Sequence, residues 1–170
     1  MANENQFKLK TKYIAPRGVA EYRDTIKEFV KPSDFIFCKE KRRLRALDRS
    51  PSLEIGCEWG ITSVLIHEVC KNLIATDISL ECITRARSQY PEIRFETLDA
   101  FNIKDAMKFS DRFSKIYIDM SGLSSYRSLL DVISLLNMYA SVFEPEAIVV
   151  KSGSLKLFAR NCVVWKCGVS

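Results

Sequence analysis

A regular alternation of short apolar segments with longer amphipathic segments, from residue 52 to residue 160, limits this sequence to few folds. The apolar segments predict strands at 52–55, 72–77, 92–96, 115–119 and 146–151. The amphipathic segments predict helices near 61–71, 79–89, 103–109, 124–143 and 154–160. Right-handed crossovers join strands that alternate with helices, so we predict an α/β protein with a mostly parallel sheet covered by helices on both faces.

The N-terminal part of the chain is more basic than the rest. Residues 1–50 contain 13 Lys and Arg against 7 Asp and Glu, whereas residues 51–170 contain 13 against 14. A polar basic arm, an amphipathic helix and a charged loop are predicted at 1–16, 18–30 and 39–45. We therefore expect a basic N-terminal part and a following domain, at 1–51 and 52–170. The excess of cations indicates either an anionic partner or a solvated basic face.

The cysteine and histidine content argues against a metal site and a disulfide framework. The chain has six cysteines, a single histidine (His67) and no Cys-x-x-Cys pair, so the usual zinc-ligand spacing is missing. With 170 residues, of which 47% are hydrophobic, it is large enough to form one core without disulfides. The sequence has neither a secretory signal nor an apolar run of about 18 residues, so we expect an intracellular protein, cytoplasmic or nuclear.

Residues that could bind a ligand or take part in a reaction follow each of the predicted strands. They are Gly56, Asp77, Asp99, Asp119 and Lys151. In an open α/β sheet, ligands bind beyond the carboxyl ends of the strands. The turn from Gly56 to Gly60 allows close approach of the backbone before a helix, and Asp77 could accept hydrogen bonds from a ribose diol. These features predict a nucleoside site with an anionic group near the turn.

Four segments in order resemble the motifs of class I S-adenosylmethionine-dependent methyltransferases. LEIGCEWG resembles motif I, ATDIS resembles motif II, LDAF resembles the segment after the third strand, and IYIDMSG resembles motif IV. The resemblance covers roughly residues 52–152. It implies a Rossmann-like three-layer sandwich of about five strands in the order 3-2-1-4-5. It also implies S-adenosyl-L-methionine as cofactor, bound by Glu54, Gly56, Cys57, Glu58, Gly60, Asp77, Ile78, Asp99, Ala100 and Phe101.

The sequence departs from the family pattern in three places. Glu58 replaces the middle glycine of motif I, which costs on the order of 1 kcal/mol if the turn needs a positive φ there. Only 19 residues follow Lys151, so the final antiparallel strands of the family are largely missing and the fifth strand is expected to be an exposed edge. Residues 36–52 have the character of an insertion.

The methyl acceptor is indicated only by two strand-end residues. Asp119 and Lys151 resemble the aspartate and lysine of the catalytic tetrad of ribose 2′-O RNA methyltransferases, which implies that they are catalytic and favours RNA as acceptor. Lys12 is the candidate for the second lysine of that tetrad, and the fourth member has no candidate. The alternative is a catalytically degenerate or truncated relative that serves as a binding protein. A dinucleotide-binding oxidoreductase is disfavoured because Gly56-Cys57-Glu58 breaks the Gly-x-Gly-x-x-Gly fingerprint.

Overall fold

A six-stranded, wholly parallel sheet organises the chain in the computed structural model, which describes residues 10–32, 50–122 and 127–162. The strands are β1 (Lys12–Ile14), β2 (Ser52–Ile55), β3 (Leu73–Asp77), β4 (Arg94–Thr97), β5 (Lys115–Asp119) and β6 (Ala147–Lys151). The helices are α1 (Val19–Phe29), α2 (Ile61–Val69), α3 (Leu80–Gln89), α4 (Ile103–Met107), α5 (Arg127–Phe143) and α6 (Gly153–Asn161). Strands and helices alternate through the described residues, as parallel pairing requires.

The strand order is β1-β6-β5-β2-β3-β4. The five strands after residue 52 stand in the order predicted from the family resemblance, so the Rossmann-like α/β prediction is confirmed. Two expectations are wrong. Residues 12–14, expected within an arm, form β1, which pairs with β6 from Lys12 opposite Ala147 to Ile14 opposite Val149. The last predicted strand is therefore not an exposed edge, because β1 covers it.

Two apolar clusters fill the two sides of the sheet. One contains Leu53 and Ile55 of β2 together with α5, and the other contains Ala75 of β3 and Tyr117 of β5 together with α1 and α2. Side chains alternate between the two faces along a strand. Glu54 therefore lies on the α1 and α2 face. By the same alternation, Asp77, Asp119 and Lys151 end their strands on that face.

Some predictions concern residues outside those that the structure describes. Most of the expected insertion at 36–52 and all of the charged loop at 39–45 lie there, as do residues 124–126 of the predicted long helix. None of the helices in the described ranges is both long enough and apolar enough to cross a membrane.

Candidate functional site

The turn between β2 and α2 has three residues in the left-handed region of backbone conformation. The φ angles of Gly56, Glu58 and Gly60 are 79°, 51° and 84°. A Cβ on Gly56 would collide with the carbonyl oxygen of Asp119, and a Cβ on Gly60 would lie 2.9 Å from Cζ of Phe95. Glycine is therefore required at both positions. At the middle position the backbone has a positive φ with a glutamate in it, which is the strained arrangement that the missing motif I glycine predicted.

Backbone hydrogen bonds tie this turn to the end of the neighbouring strand. The carbonyl oxygen of Thr76 accepts from the N–H groups of Gly56 and Cys57, at 2.8 and 2.9 Å. The Thr76 hydroxyl donates to the carbonyl oxygen of Glu54 at 2.7 Å. Cys57 is buried beneath the turn, and burial raises the pKa of its thiol. These contacts hold the ends of β2 and β3 in a fixed relation.

The Asp77 carboxylate, at the end of β3, accepts hydrogen bonds from the backbone of this turn and of the segment after β3. One carboxylate oxygen accepts from the N–H of Glu58 and the other from the N–H of Ser79, both at 2.9 Å. A carboxylate oxygen has two acceptor sites, so each oxygen can still accept a hydroxyl. Asp77 faces the Gly56–Gly60 turn, and its geometry leaves acceptor capacity for a diol.

The three strand-end aspartates share one local geometry, in which the carboxylate accepts from the N–H two residues later. Asp77 accepts from Ser79, Asp99 from Phe101 and Asp119 from Ser121, at 2.9, 3.0 and 3.0 Å. Such side-chain turns are a known preference of aspartate. Ser79 also caps α3, because its hydroxyl accepts from the N–H of Cys82 at 3.3 Å. Sequence reasoning missed these serines, although an aspartate at a predicted strand end is a signal for this turn.

Large apolar side chains are exposed beside these aspartates. Ile78, after β3, is 70% exposed, and Phe101, after the neighbouring β4, is 47% exposed, while Ala100 between Asp99 and Phe101 is buried. Trp59 of the turn is 40% exposed, and the guanidinium of Arg85 lies 4.1 Å from the centre of its ring. Exposed apolar groups at the ends of adjacent strands are suited to cover a flat ligand group.

Glu54 lies beneath the turn and not on its surface. Its residue is 1% exposed, and its carboxyl group accepts a hydrogen bond from the hydroxyl of Ser63 in α2 at 2.5 Å. Burial raises the pKa of Glu54 to about 7, the Ser63 hydroxyl opposes this, and the charges of Asp119 and Asp77 add to it. The carboxyl group of Glu54 is therefore shielded from solvent and contacts α2 through Ser63. Sequence reasoning missed Ser63, which no motif marks.

Asp119 and Lys151 meet at the ends of adjacent strands. Nζ of Lys151 donates to a carboxylate oxygen of Asp119 at 2.7 Å, and both side chains are about one-fifth exposed, at 21% and 23%. The other carboxylate oxygen accepts from the N–H and the hydroxyl of Ser121. The N–H of Met120 donates to the carbonyl oxygen of Lys151 at 2.9 Å, which fixes the two strand ends. The structure thus joins the two residues that the sequence predicted as a pair.

Lys12 is not part of this arrangement, and its prediction as a second tetrad lysine is wrong. It pairs with Ala147, the first residue of β6, whereas Lys151 is the last. Four residues of extended chain separate these positions by about 13 Å. Among residues 10–32, 50–122 and 127–162, the structure gathers no group of three His, Cys, Asp or Glu side chains that could hold a metal ion.

Comparisons with solved structures show the same fold in other proteins. DesVI of Streptomyces venezuelae superposes with a TM-score of 0.54 and 16% identity, over 77% of this chain and 49% of that one. A SAM-dependent methyltransferase of Agrobacterium tumefaciens superposes with a TM-score of 0.54 and 15% identity, over 78% of this chain and 44% of that one. No protein-family model and no curated protein matches the sequence.

The chain spans about half the length of these structural relatives. At 15–16% identity, the likeness concerns the fold. The chain has the Rossmann-like α/β fold found among S-adenosylmethionine-dependent methyltransferases.

Proposed function

We propose that this chain binds S-adenosylmethionine at the carboxyl ends of β2, β3 and β4 and transfers its methyl group to an acceptor. The observation that carries the proposal is the Asp77 carboxylate, which is fixed by the N–H groups of Glu58 and Ser79 against the glycine turn. A fixed acceptor beside a turn in which Gly56 and Gly60 carry no side chain suits a ribose diol. The Asp119 and Lys151 pair lies next to that turn on the same face of the sheet.

The strand-end residues fit the parts of this cofactor. Asp77 would accept the ribose hydroxyls, Ile78 and Phe101 would flank the adenine, and Asp99 with Ala100 would lie at its edge. The Gly56–Gly60 turn, with Cys57 and Glu58, would face the methionine part, and Glu54 would hold the turn from below. When bound, the cofactor supplies a methyl group on a positively charged sulfur. The role of the chain is then to position the acceptor, which lowers the barrier to transfer.

The chemical class of the methyl acceptor is proposed from Asp119 and Lys151. A hydroxyl acceptor must lose a proton when it is methylated, so it needs a nearby group to take that proton and to orient the oxygen. The ion pair of Asp119 and Lys151 at 2.7 Å places a carboxylate and an ammonium at the edge of the proposed cofactor site. We propose a hydroxyl acceptor, with the ribose of RNA favoured over small molecules.

A second candidate is a protein that binds the cofactor without turnover. The observation that favours it is Glu58 at a φ of 51°, in the place of a motif glycine, where its side chain is exposed beside the proposed methionine site. The two candidates differ in methyl transfer and not in binding. Incorporation of tritiated methyl into fractionated RNA, protein and small molecules separates them, and Lys151→Met should lower incorporation if Lys151 is catalytic.

Calorimetric titration with S-adenosylhomocysteine tests the common part of both candidates. Asp77→Ala removes the carboxylate that would accept two hydrogen bonds from the ribose hydroxyls, and it should weaken binding by about tenfold or more. Asp111→Ala, an exposed aspartate in the loop before β5, is the matched control and should bind as the wild type does. If the folded wild-type protein does not bind at millimolar ligand, the proposal is refuted.

A further inference from the structure

A cleft of about 680 Å³ lies at the opposite end of the sheet from the Gly56–Gly60 turn. Its floor includes the first residues of three adjacent strands, Lys12 of β1, Ala147 of β6 and Lys115 of β5. Because all strands are parallel, these amino ends share one edge, and the full length of the strands separates the cleft from the proposed cofactor site. Its volume is in the range of ligand pockets.

The charged residues that line the cleft are mainly basic. The basic ones are Lys10, Lys12, Lys31, Arg112 and Lys115, and the acidic ones are Glu28, Glu144 and Glu146. Five cations against three carboxylates give the lining a net charge of +2. Residues 51–170 are nearly neutral in sequence, so this cleft concentrates part of the basic excess of residues 1–50 in one concave surface. A concave basic surface focuses the field on an anionic ligand.

The floor of the cleft is held by buried contacts. The side chain of Lys115 is 4% exposed and donates to the carboxylate of Glu146 at 2.5 Å. The Thr11 hydroxyl donates to the carbonyl oxygen of Pro145 at 2.7 Å, and the N–H of Lys12 donates to that of Glu146 at 3.0 Å. The loop before β6 is therefore fixed to β1 and β5, so the cleft is present without a ligand.

We propose that this cleft binds a phosphate-bearing ligand, with Lys12 and Arg112 as its main contacts. Phe29, a half-buried residue of the lining, adds apolar surface for a base next to the phosphate. Helices α1 and α5 end beside the cleft, and their terminal carbonyl groups repel an anion. The attraction must therefore come from the basic side chains, and binding should weaken with added salt. A nucleotide and the phosphodiester backbone of a nucleic acid share this chemistry.

Two uridine probes distinguish these sources and avoid the proposed adenosine site. Fluorescence anisotropy follows a fluorescein-labelled oligouridylate of about 12 nucleotides, and calorimetry follows uridine 5′-monophosphate, both with saturating S-adenosylhomocysteine present. We expect the double variant Lys12→Glu and Arg112→Glu to weaken binding by about tenfold or more. Lys104→Glu, an exposed lysine in α4 outside the cleft, is the control and should bind as the wild type does.

The outcomes are decisive whatever the state of the cofactor site. Binding of the oligonucleotide alone assigns the cleft to a phosphodiester backbone, and binding of the monophosphate assigns it to a nucleotide. Failure of both probes to bind the wild type overturns the inference, as does equal binding by the double variant. If the melting temperature of the double variant is well below that of the wild type, the single variant Arg112→Glu replaces it. The described hydrogen bonds of Arg112 are made by its backbone, so a change of side chain leaves them in place. Failure here leaves S-adenosylhomocysteine binding untouched, so the two proposals are tested separately.

Discussion

The buried carboxyl group of Glu54 should make the stability of the fold depend on pH in a direction opposite to that of ordinary acidic residues. Its residue is 1% exposed, and burial raises its pKa from 4.5 to about 7. The folded protein therefore keeps a proton on Glu54 in a range of pH where the unfolded chain has lost it. The contribution of Glu54 to the unfolding free energy is therefore complete below about pH 4.5 and is lost as the pH rises through about 7.

The size of this effect follows from the two pKa values. A difference of about 2.5 pKa units at about 1.4 kcal/mol each corresponds to about 3 kcal/mol of unfolding free energy. Glu54→Gln tests it, because the amide stays neutral at every pH while its carbonyl oxygen can still accept from the Ser63 hydroxyl. The variant should gain stability relative to the wild type, by about 3 kcal/mol, between about pH 4.5 and 7.5.

Urea denaturation of both proteins at a series of pH values measures the difference. At each pH, the unfolding free energy of one protein is subtracted from that of the other. This removes the contributions of groups that both proteins contain, such as Glu21, whose pKa is lowered by its hydrogen bond to Arg17. Glu68→Gln, an exposed glutamate on α2, is the control, and its difference from the wild type should stay nearly flat. If the Glu54→Gln difference is also flat, Glu54 is ionised in the folded protein and the reasoning is wrong.

The remaining predictions concern the strained turn. Glu58→Gly removes a side chain from a φ of 51° and should stabilise the fold by on the order of 1 kcal/mol, seen as a melting temperature about 2–4 °C higher; an unchanged or lower value would contradict strain there. Gly56→Ala forces a Cβ against the Asp119 carbonyl oxygen at a φ of 79° and should destabilise by about 2 kcal/mol or more in the same assay. Gly153→Ala, which meets nothing within 4 Å, is its control and should be nearly neutral.

The alternation of strands and helices could be predicted from the sequence because it depends on local patterns, whereas the strand order 3-2-1-4-5 is implied only by the resemblance to the methyltransferase family. Each apolar strand such as Leu73–Asp77 is followed by an amphipathic helix, and the handedness of the crossovers leaves few topologies. β1 could not be predicted in this way. It has three residues, of which Lys12 and Tyr13 are exposed, and it pairs with a strand more than 130 residues later in the chain. Nothing local indicates that pairing.

In the candidate site, too, the sequence predicts some features and not others. Positions at strand ends, such as Asp77 and Asp119, follow from the sequence because parallel strands bring their carboxyl ends to one edge. The partners of these residues do not. Ser63 reaches Glu54 only because α2 packs over β2, and the burial of Glu54 depends on helices from two parts of the chain. The interpretation of Lys12 as a tetrad lysine fails because the sequence does not show that Lys12 begins a strand, opposite the first residue of β6.

The acidic residues at this edge differ in chemistry because their donors differ. Asp77 has two backbone N–H groups, and Asp119 has the Lys151 ammonium together with the N–H and hydroxyl of Ser121. Among the described residues, Glu54 has one hydroxyl donor and almost no contact with water. A buried carboxylate with a single neutral donor is costly, and the charges of Asp77 and Asp119 add to that cost, so the proton goes to Glu54. The edge can thus hold three carboxyl groups near one turn while two of them keep the acceptor capacity that a ligand would use.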